Sequence, residues 1–214
     1  MRILVVAGAP SAGLSQTVRR VAASCDEVIA ADSGAVACLQ ADIVPDLVVG
    51  DLDSLDQASR ARLAELGVPT AVVSAEKDET DLDVAVDAAR KRGATCVTFS
   101  GVVGGRLDHT LASIGTLARA CDLMPVLAEP DVEGWVLGEA GRTTLRLEDK
   151  LGATVSLLSL GGAVVSCSGF RYPLQEEHLA ALSSRGISNV CVDSPAEIRV
   201  HAGTLLVLLI PEHD

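Results

Sequence analysis

The first half of the sequence alternates between short apolar runs and amphipathic stretches, and this alternation constrains the fold more than any other feature. The apolar runs predict buried strands at residues 3–7, 27–31, 46–49, 70–73, 95–99 and 125–128. The stretches between them predict helices at residues 15–24, 34–40, 55–66, 81–92 and 107–119. Strands that alternate with helices form a parallel sheet flanked by helices. We therefore predict a parallel-sheet α/β domain at residues 1–125.

The pattern changes after about residue 130, where short β-prone runs follow one another closely. These runs predict strands at residues 134–137, 143–147, 153–158, 163–167, 189–192, 196–200 and 204–210. Glycine-rich turns such as Gly161-Gly162 separate them, and one helix is predicted near residues 176–184. Closely spaced short strands are typical of a small antiparallel sandwich or barrel. We predict a C-terminal β-sandwich domain at residues 126–214.

Composition excludes several classes of partner. The formal net charge of −12 argues against nucleic-acid binding, which needs a basic surface. No apolar run approaches the ~20 residues that span a bilayer, so we predict no membrane partner. The six cysteines are scattered without a C-x-x-C pair, and the first residues lack the charged and apolar regions of a signal peptide. We expect a cytoplasmic protein with reduced cysteines.

Acidic residues follow several of the predicted strands. Asp32 comes directly after strand 27–31, Asp51 and Asp53 follow strand 46–49, and Asp81 begins the helix after strand 70–73. The carboxyl ends of parallel strands form the ligand crevice of an α/β sheet. Side chains at positions i and i+2 of an extended segment point to one side, so Asp51 and Asp53 can reach one metal ion. Clustered carboxylates repel one another unless a cation lies between them, and Mg²⁺ fits this demand best.

Other interpretations of Asp51 and Asp53 remain open. An Asp-rich turn that caps the helix from about residue 55 is as common as a metal site. An EF-hand loop is excluded because Leu55 and Asp56 stand at its fifth and sixth positions. Aspartyl-phosphate phosphatases also carry D-x-D after a buried strand, but that family expects Thr or Val at Leu55 and a later Lys and acidic pair, for which we find no convincing match.

Two further motifs predict contacts with phosphate. The glycines of Gly104-Gly105-Arg106 let backbone N–H groups approach an anion, and arginine supplies a planar fork for phosphate oxygens. Lys77 lies just ahead of a capping box formed by Thr80 and Asp83. Each motif also has a structural interpretation: Gly-Gly-Arg alone is more often a plain turn, and acids at a helix start favour its dipole.

In this order, the motifs resemble those of the thiamine pyrophosphokinase family. The matching segments are Asp32-Ser33-Gly34-Ala35, Pro45-Asp46 through Gly50-Asp51-Leu52-Asp53-Ser54, Lys77-Asp78-Glu79-Thr80-Asp81 and Gly104-Gly105-Arg106-Leu107-Asp108-His109. Tyr172-Pro173-Leu174 and Gly186-Ile187-Ser188-Asn189 are similar to the family's C-terminal landmarks. The chain departs from the family at Ser33, where many members have Gly, and at residues 205–208, where animal members have a Trp that stacks on thiamine.

The resemblance implies an activity and a set of site residues. It implies Mg²⁺-dependent transfer of pyrophosphate from ATP to the hydroxyethyl group of thiamine, which gives thiamine diphosphate and AMP, in a homodimer whose sites are shared between subunits. Implied metal ligands are Asp51, Asp53 and Asp81; implied nucleotide-binding residues are Asp32, Ser33, Gly34, Lys77, Asp78, Thr80, Gly104 and Gly105. Implied catalytic residues are Asp81, Arg106, Asp108 and His109; implied thiamine-binding residues are Ser188 and Asn189. The alternative is a non-catalytic module on the same fold that binds a nucleotide or thiamine phosphate.

Overall fold

The computed structural model describes residues 1–72 and 79–210, which belong to two compact units. The first unit comprises Met1–Thr116 and Leu127–Pro130, and the second comprises Leu117–Val126 and the chain from Asp131 onward. Each unit contains its own cluster of buried aliphatic side chains. Of the helices in the described ranges, none is both long and apolar enough to cross a membrane.

The first unit is a parallel sheet flanked by helices, as predicted. Its strands are β1 (Arg2–Val6), β2 (Glu27–Ala31), β3 (Leu47–Gly50), β4 (Thr70–Val72), β5 (Cys96–Ser100) and β6 (Val126–Glu129). Five of them pair in parallel in the order β5-β1-β2-β3-β4, and β6 lies beside β5. The helices are α1 (Leu14–Ala22), α2 (Gly34–Gln40), α3 (Gln57–Glu65), α4 (Asp81–Lys91) and α5 (Leu107–Arg119).

Aliphatic side chains build the core of the first unit because both faces of a parallel sheet are covered by helices. Residues 3–6 of β1 are fully buried, and Val18 and Leu63 contribute from helices α1 and α3. Helix α4 buries one apolar stripe, formed by Leu82, Ala85, Val86 and Ala89, and begins with the predicted capping box. There the Thr80 hydroxyl accepts the Asp83 N–H at 3.2 Å, and the Asp83 carboxylate accepts the Thr80 N–H at 3.2 Å.

The second unit is antiparallel and rich in strands, which confirms the predicted fold class. Its strands are β7 (Val132–Gly138), β8 (Thr144–Leu147), β9 (Thr154–Ser168), β10 (Leu174–Leu179), β11 (Asn189–Val190) and β12 (Ala196–Ile210). They pair in the order β10-β9-β12-β7, with β8 added to β12 and β11 added to β9. Trp135 is partly buried and packs against the core of this unit.

Two long strands replace four short predicted ones. Residues 154–158 and 163–167 of two predicted strands lie in the continuous strand β9, and residues 196–200 and 204–210 lie in β12. Gly162, with a φ of +99°, keeps β9 continuous where a turn was predicted, because glycine adopts positive φ without strain. The pairing of β12 with β9 shifts register near Ala202 and Gly203, opposite Gly162. Both halves of each strand contribute to one core.

The predicted helix near residues 176–184 is wrong. Residues 174–179 form β10, and a 3₁₀ helix occupies Ser184–Gly186. The run Gln175-Glu176-Glu177-His178 favours a helix by composition, but β10 pairs with β9 and buries Leu174 and Leu179 at its two ends. Tertiary pairing therefore overrides local propensity, with an irregularity at Glu176, whose φ is +47°.

Candidate functional site

A cleft of about 830 Å³ opens at the carboxyl edge of the parallel sheet in the first unit. One part of its wall is formed by residues 7–10 after β1, residues 31–33 at the end of β2 and Asp51 after β3. The start of α4, the β5–α5 loop and the first two turns of α5 form the rest. The cleft brings together ten of the residues singled out from the sequence: Asp32, Ser33, Asp51, Thr80, Asp81, Gly104, Gly105, Arg106, Asp108 and His109. Lys77 and Asp78 lie outside the described residues.

Three carboxylates gather beside this cleft, and we call Asp32, Asp51 and Asp53 the acidic cluster. One carboxylate oxygen of each lies within 4.8 Å of the others. Asp32 and Asp51 are half-buried, whereas Asp53 is exposed. The sequence predicted Asp51 and Asp53 as a pair of metal ligands, and the structure adds Asp32, which had been assigned to the nucleotide.

Gly50 allows a fourth carboxylate, that of Asp81, to approach the cluster. A Cβ atom on Gly50 would lie 3.1 Å from Cβ of Asp32 and 3.3 Å from Cγ of Asp81, so a side chain there would crowd both residues. The φ of Gly50 is +136°, which also favours glycine. The glycine that precedes Asp51 in the sequence motif thus has a steric function. Gly34 has one as well, because a Cβ atom there would lie 2.0 Å from the Val6 carbonyl oxygen.

The electrostatics of the acidic cluster favour a bound cation. A hydrogen bond to the Asp51 carboxyl and the like charge of that group raise the pKa of Asp53, with smaller contributions from Asp32 and Asp81. Ser54 donates a short hydrogen bond to Oδ2 of Asp32, whereas the buried Oδ1 of Asp32 has no hydrogen-bond partner among the described residues. The cluster offers only oxygen ligands, its carboxylates repel one another, and one buried oxygen lacks a hydrogen-bond partner among the described residues. Such a site suits a hard divalent ion.

The β5–α5 loop, residues 101–106, contains Gly104, Gly105 and Arg106, which are predicted to contact phosphate. Gly104 passes close to the chain after β1, where a Cβ atom on it would lie 2.7 Å from the Pro10 carbonyl oxygen. Arg106 forms a bidentate ion pair with Asp108, which lies in the first turn of α5. This pair lowers the pKa of Asp108 to about 2 and raises that of Arg106. The His109 N–H also donates to Asp108, at 3.0 Å.

Thr80 has a structural role besides the nucleotide contact predicted for it. Its hydroxyl oxygen is 2.7 Å from Oδ2 of Asp83, and Thr116 of α5 donates to the other oxygen of Asp83 at 2.8 Å. This chain of hydrogen bonds ties the start of α4 to α5. The position of Asp81, the first residue of α4, follows from that anchoring.

Ser188 and Asn189, the predicted thiamine-binding residues, lie in the second unit. Asn189 is buried, and its side-chain amide forms two hydrogen bonds with the backbone of Tyr172. The amide oxygen accepts the Tyr172 N–H at 3.0 Å, and the amide nitrogen donates to the Tyr172 carbonyl at 2.8 Å. The amide oxygen also accepts the Val190 N–H at 3.0 Å. Ser188 is exposed and has a φ of +56°. Asn189 therefore shapes the segment that exposes Tyr172, and a direct contact with thiamine stays a prediction.

One buried acid near the cleft was not predicted from the sequence. Glu129 ends β6 and accepts backbone N–H groups from the β5–α5 loop. The signal was available, because Glu129 is an acid directly after an apolar strand, as Asp32 and Asp51 are. It was missed because residues after 125 were assigned to the second domain, whereas Leu127–Pro130 belong to the first unit.

Two family models match most of the chain. "Thiamin pyrophosphokinase, catalytic domain" matches residues 18–125, and "Thiamin pyrophosphokinase, vitamin B1 binding domain" matches residues 142–205. The first range covers the acidic cluster and the β5–α5 loop. The second covers Ser188 and Asn189.

Individual relatives give the same result. A thiamine pyrophosphokinase from Bacillus subtilis (strain 168) is 28% identical over 183 residues, which is 84% of this chain and 85% of the relative. A crystal structure of thiamine pyrophosphokinase from Bacillus subtilis superposes with a TM-score of 0.84 at 26% identity, over 100% of both chains. The enzyme structure from Geobacillus thermodenitrificans gives 0.82 at 25% identity, over 100% of this chain and 99% of the other.

Proposed function

Because the chain belongs to the thiamin pyrophosphokinase family, we propose that it transfers the pyrophosphoryl group of ATP to the hydroxyl of thiamine. The hydroxyl oxygen forms a bond to the β-phosphorus, the bond from that phosphorus to the bridging oxygen of AMP breaks, and the hydroxyl proton is lost. The single observation that carries the proposal is the cleft, which is lined by Asp32 and Asp51 of the acidic cluster and by Arg106.

Charge control is the main task of such a site, since the attacked phosphorus lies within a polyanion. Arg106 supplies a guanidinium fork at the cleft, and the start of α5 places N–H groups beside it. We assign to Arg106 the stabilisation of charge that develops as AMP leaves. Lys77 keeps its predicted role at the nucleotide phosphates.

The acidic cluster fits Mg²⁺. Oδ1 of Asp32 has no hydrogen-bond partner among the described residues, and a hydrogen bond to Asp51 together with the like charge of that group raises the pKa of Asp53; a cation with oxygen ligands would relieve both. Asp51, Asp53 and Asp81 would hold the ion, and we add Asp32 to this set. Bound there, Mg²⁺ would neutralise phosphate charge and help to orient the triphosphate.

Asp108 suits an orienting role better than a basic one. A carboxylate with a pKa of about 2 is ionised at neutral pH but is a weak proton acceptor. Its oxygens can accept a hydrogen bond from the thiamine hydroxyl and align it for attack. His109, on the same helical turn, is then the candidate that takes up the proton.

We propose that the acceptor site is completed by a second copy of the chain. The residues predicted to bind phosphate belong to the first unit, and Ser188 and Asn189, the predicted thiamine-binding residues, belong to the second. Sites shared in a homodimer would use the β-rich unit of one subunit to hold thiamine against the cleft of the other. The strongly acidic chain suits an acceptor with a permanent positive charge.

Incubation with ATP, Mg²⁺ and thiamine tests the activity directly. We expect equal amounts of AMP and thiamine diphosphate, measured by chromatography, and no product with EDTA or with Asp51→Asn. A non-catalytic binding module would bind ATP or thiamine phosphate in calorimetry but release no AMP. Four carboxylates, those of the acidic cluster and of Asp81, lie close together at this cleft. This favours the enzyme over a binding module, since binding alone does not need so many carboxylates.

A further inference from the structure

Glu129 is a buried carboxylate next to the cleft, and none of the roles above uses it. It is the last residue of β6 and is 6% exposed. Carboxylates are almost never buried without a partner. Burial raises the pKa of Glu129, and hydrogen bonds from backbone N–H groups oppose that rise.

Those N–H groups come from three consecutive residues of the β5–α5 loop. Oε2 of Glu129 accepts the Gly101 N–H at 3.1 Å, and Oε1 accepts the N–H groups of Val102 at 2.7 Å and Val103 at 3.1 Å. One residue earlier, the Ser100 hydroxyl donates to the carbonyl of Ala128 at 2.7 Å. The end of β6 therefore holds the first half of the loop at every residue.

Successive backbone N–H groups that converge on one point form a concavity typical of anion-binding sites. Here the anion is a side chain of the protein itself, so the loop is shaped before any ligand binds. The loop has two further anchors: the Gly101 carbonyl accepts the Ala9 N–H at 2.8 Å, and the Gly104 N–H donates to the Thr110 hydroxyl at 3.2 Å. Beyond these anchors the loop presents Arg106.

We infer that Glu129 is a positioning residue for pyrophosphoryl transfer: it fixes the β5–α5 loop so that Arg106 meets the phosphates without reorganisation. This inference rests on the proposed function. A group that acts through Arg106 affects charge stabilisation in the transition state more than substrate binding, so its loss lowers kcat rather than raising KM. Glu129 touches neither substrate nor reacting atoms in this role.

The chemistry of the three hydrogen bonds defines the informative variants. In Glu129→Gln, the amide oxygen can keep two N–H groups, but the amide nitrogen is a donor and cannot accept the third. In Glu129→Asp the charge and both acceptors remain on a side chain one methylene shorter. Asp26→Asn is the matched control, because the Asp26 carboxylate also accepts a backbone N–H, that of Arg2 at 2.7 Å. This hydrogen bond lies at the amino end of β1, away from the cleft.

Steady-state kinetics provide the first test. We expect Glu129→Gln to lower kcat by roughly 10- to 100-fold, the range for small displacements of a catalytic group. The KM for ATP should stay within about twofold. Glu129→Asp should retain more of kcat than Glu129→Gln, and Asp26→Asn should resemble the wild type. A Glu129→Gln enzyme as active as Asp26→Asn overturns the inference.

A double-mutant cycle asks whether the effect passes through Arg106. In an Arg106→Ala background, Glu129→Gln should cost little further activity, because contacting or coupled residues are not additive. Its effect on the melting temperature should persist unchanged in that background. If Glu129→Gln lowers kcat by the full factor without Arg106, the role is general stability and the inference fails.

Hydrogen–deuterium exchange separates this inference from the proposed function. A wild type that makes no thiamine diphosphate refutes the proposed function, whereas the exchange experiment tests separately whether Glu129 fixes the β5–α5 loop. In either case, Glu129→Gln should exchange faster than the wild type in peptides covering residues 101–106 and equally in peptides covering β1 and β2. Unchanged exchange in the loop overturns the inference. If Glu129→Gln does not fold, Glu129→Asp supplies the same comparison.

Discussion

Arg106 and Asp108 face each other through two hydrogen bonds, 3.1 Å from Nε to Oδ1 and 2.6 Å from Nη2 to Oδ2. Their side chains are 71% and 65% exposed, so water screens the pair and it adds little to stability. The ion pair instead orients the Arg106 guanidinium at the cleft, where a phosphate can accept a hydrogen bond from one of its N–H groups.

Arg106→Ala should lower kcat by roughly 10²–10³-fold, as the loss of one charge-stabilising donor does. Arg106→Lys should recover little, because an ammonium group does not reproduce the fork. Arg62→Ala, which removes an exposed ion pair with Glu65 in the same unit, is the control and should be neutral. A change only in the KM for ATP would instead make Arg106 a uniform binding contact.

Asp108 should not control the pH dependence of the reaction. Its pKa is lowered to about 2, so the carboxylate is ionised at every pH above about 4 and becomes protonated only as the pH falls through that low value. Asp108→Asn should therefore lower kcat without removing a limb of the kcat/KM profile between pH 5 and 9. Loss of an acidic limb from the kcat/KM profile in Asp108→Asn would contradict the low pKa and identify Asp108 as the general base in the free enzyme.

Metal binding should be measurable without turnover. Mg²⁺ should raise the melting temperature of the wild type, because a ligand of the native state stabilises it. Asp51→Asn and Asp53→Asn should lose both this shift and activity while they keep the fold, whereas Glu65→Gln should keep both.

Without Mg²⁺, Asp53→Asn should be at least as stable as the wild type at neutral pH, because the raised pKa of Asp53 means that its ionisation opposes folding. Wild-type activity in either aspartate variant contradicts the metal assignment.

The parallel sheet and the ends of its strands could be predicted because their signals are local. Apolar runs mark buried strands, and Asp32 and Asp51 stand directly at strand ends. The continuity of β9 and β12 could not be predicted, since a glycine in a strand and a glycine in a turn look alike until the partner strand is known. The site shows the same limit: the contacts of Glu129 and Asn189 depend on tertiary neighbours 17 to 28 residues away.

Asn189→Ala should destabilise the protein more than Ser188→Ala. The buried Asn189 amide satisfies the N–H and carbonyl of Tyr172 and the N–H of Val190, and its removal leaves partly buried backbone groups unpaired. Such a loss costs about 1–3 kcal/mol in the free energy of unfolding. Urea titration of both variants, followed by circular dichroism, measures the difference. Equal stability in the two variants would show that the Tyr172 segment does not depend on Asn189.

Subunit mixing tests whether each site is built from two chains. Asp53→Asn disables the first unit, and Asn189→Ala, or the milder Asn189→Asp if that variant is unstable, disables the second. In a shared-site homodimer, a mixed dimer has one site with both defects and one with neither. Equal mixing and complete exchange should then restore about a quarter of wild-type activity per chain, since half of the dimers are mixed and half of their sites are intact. Sites contained in one chain carry a defect in every subunit, so activity should stay near zero although mass spectrometry detects mixed dimers. That outcome would reject the shared site and leave the metal assignment untouched.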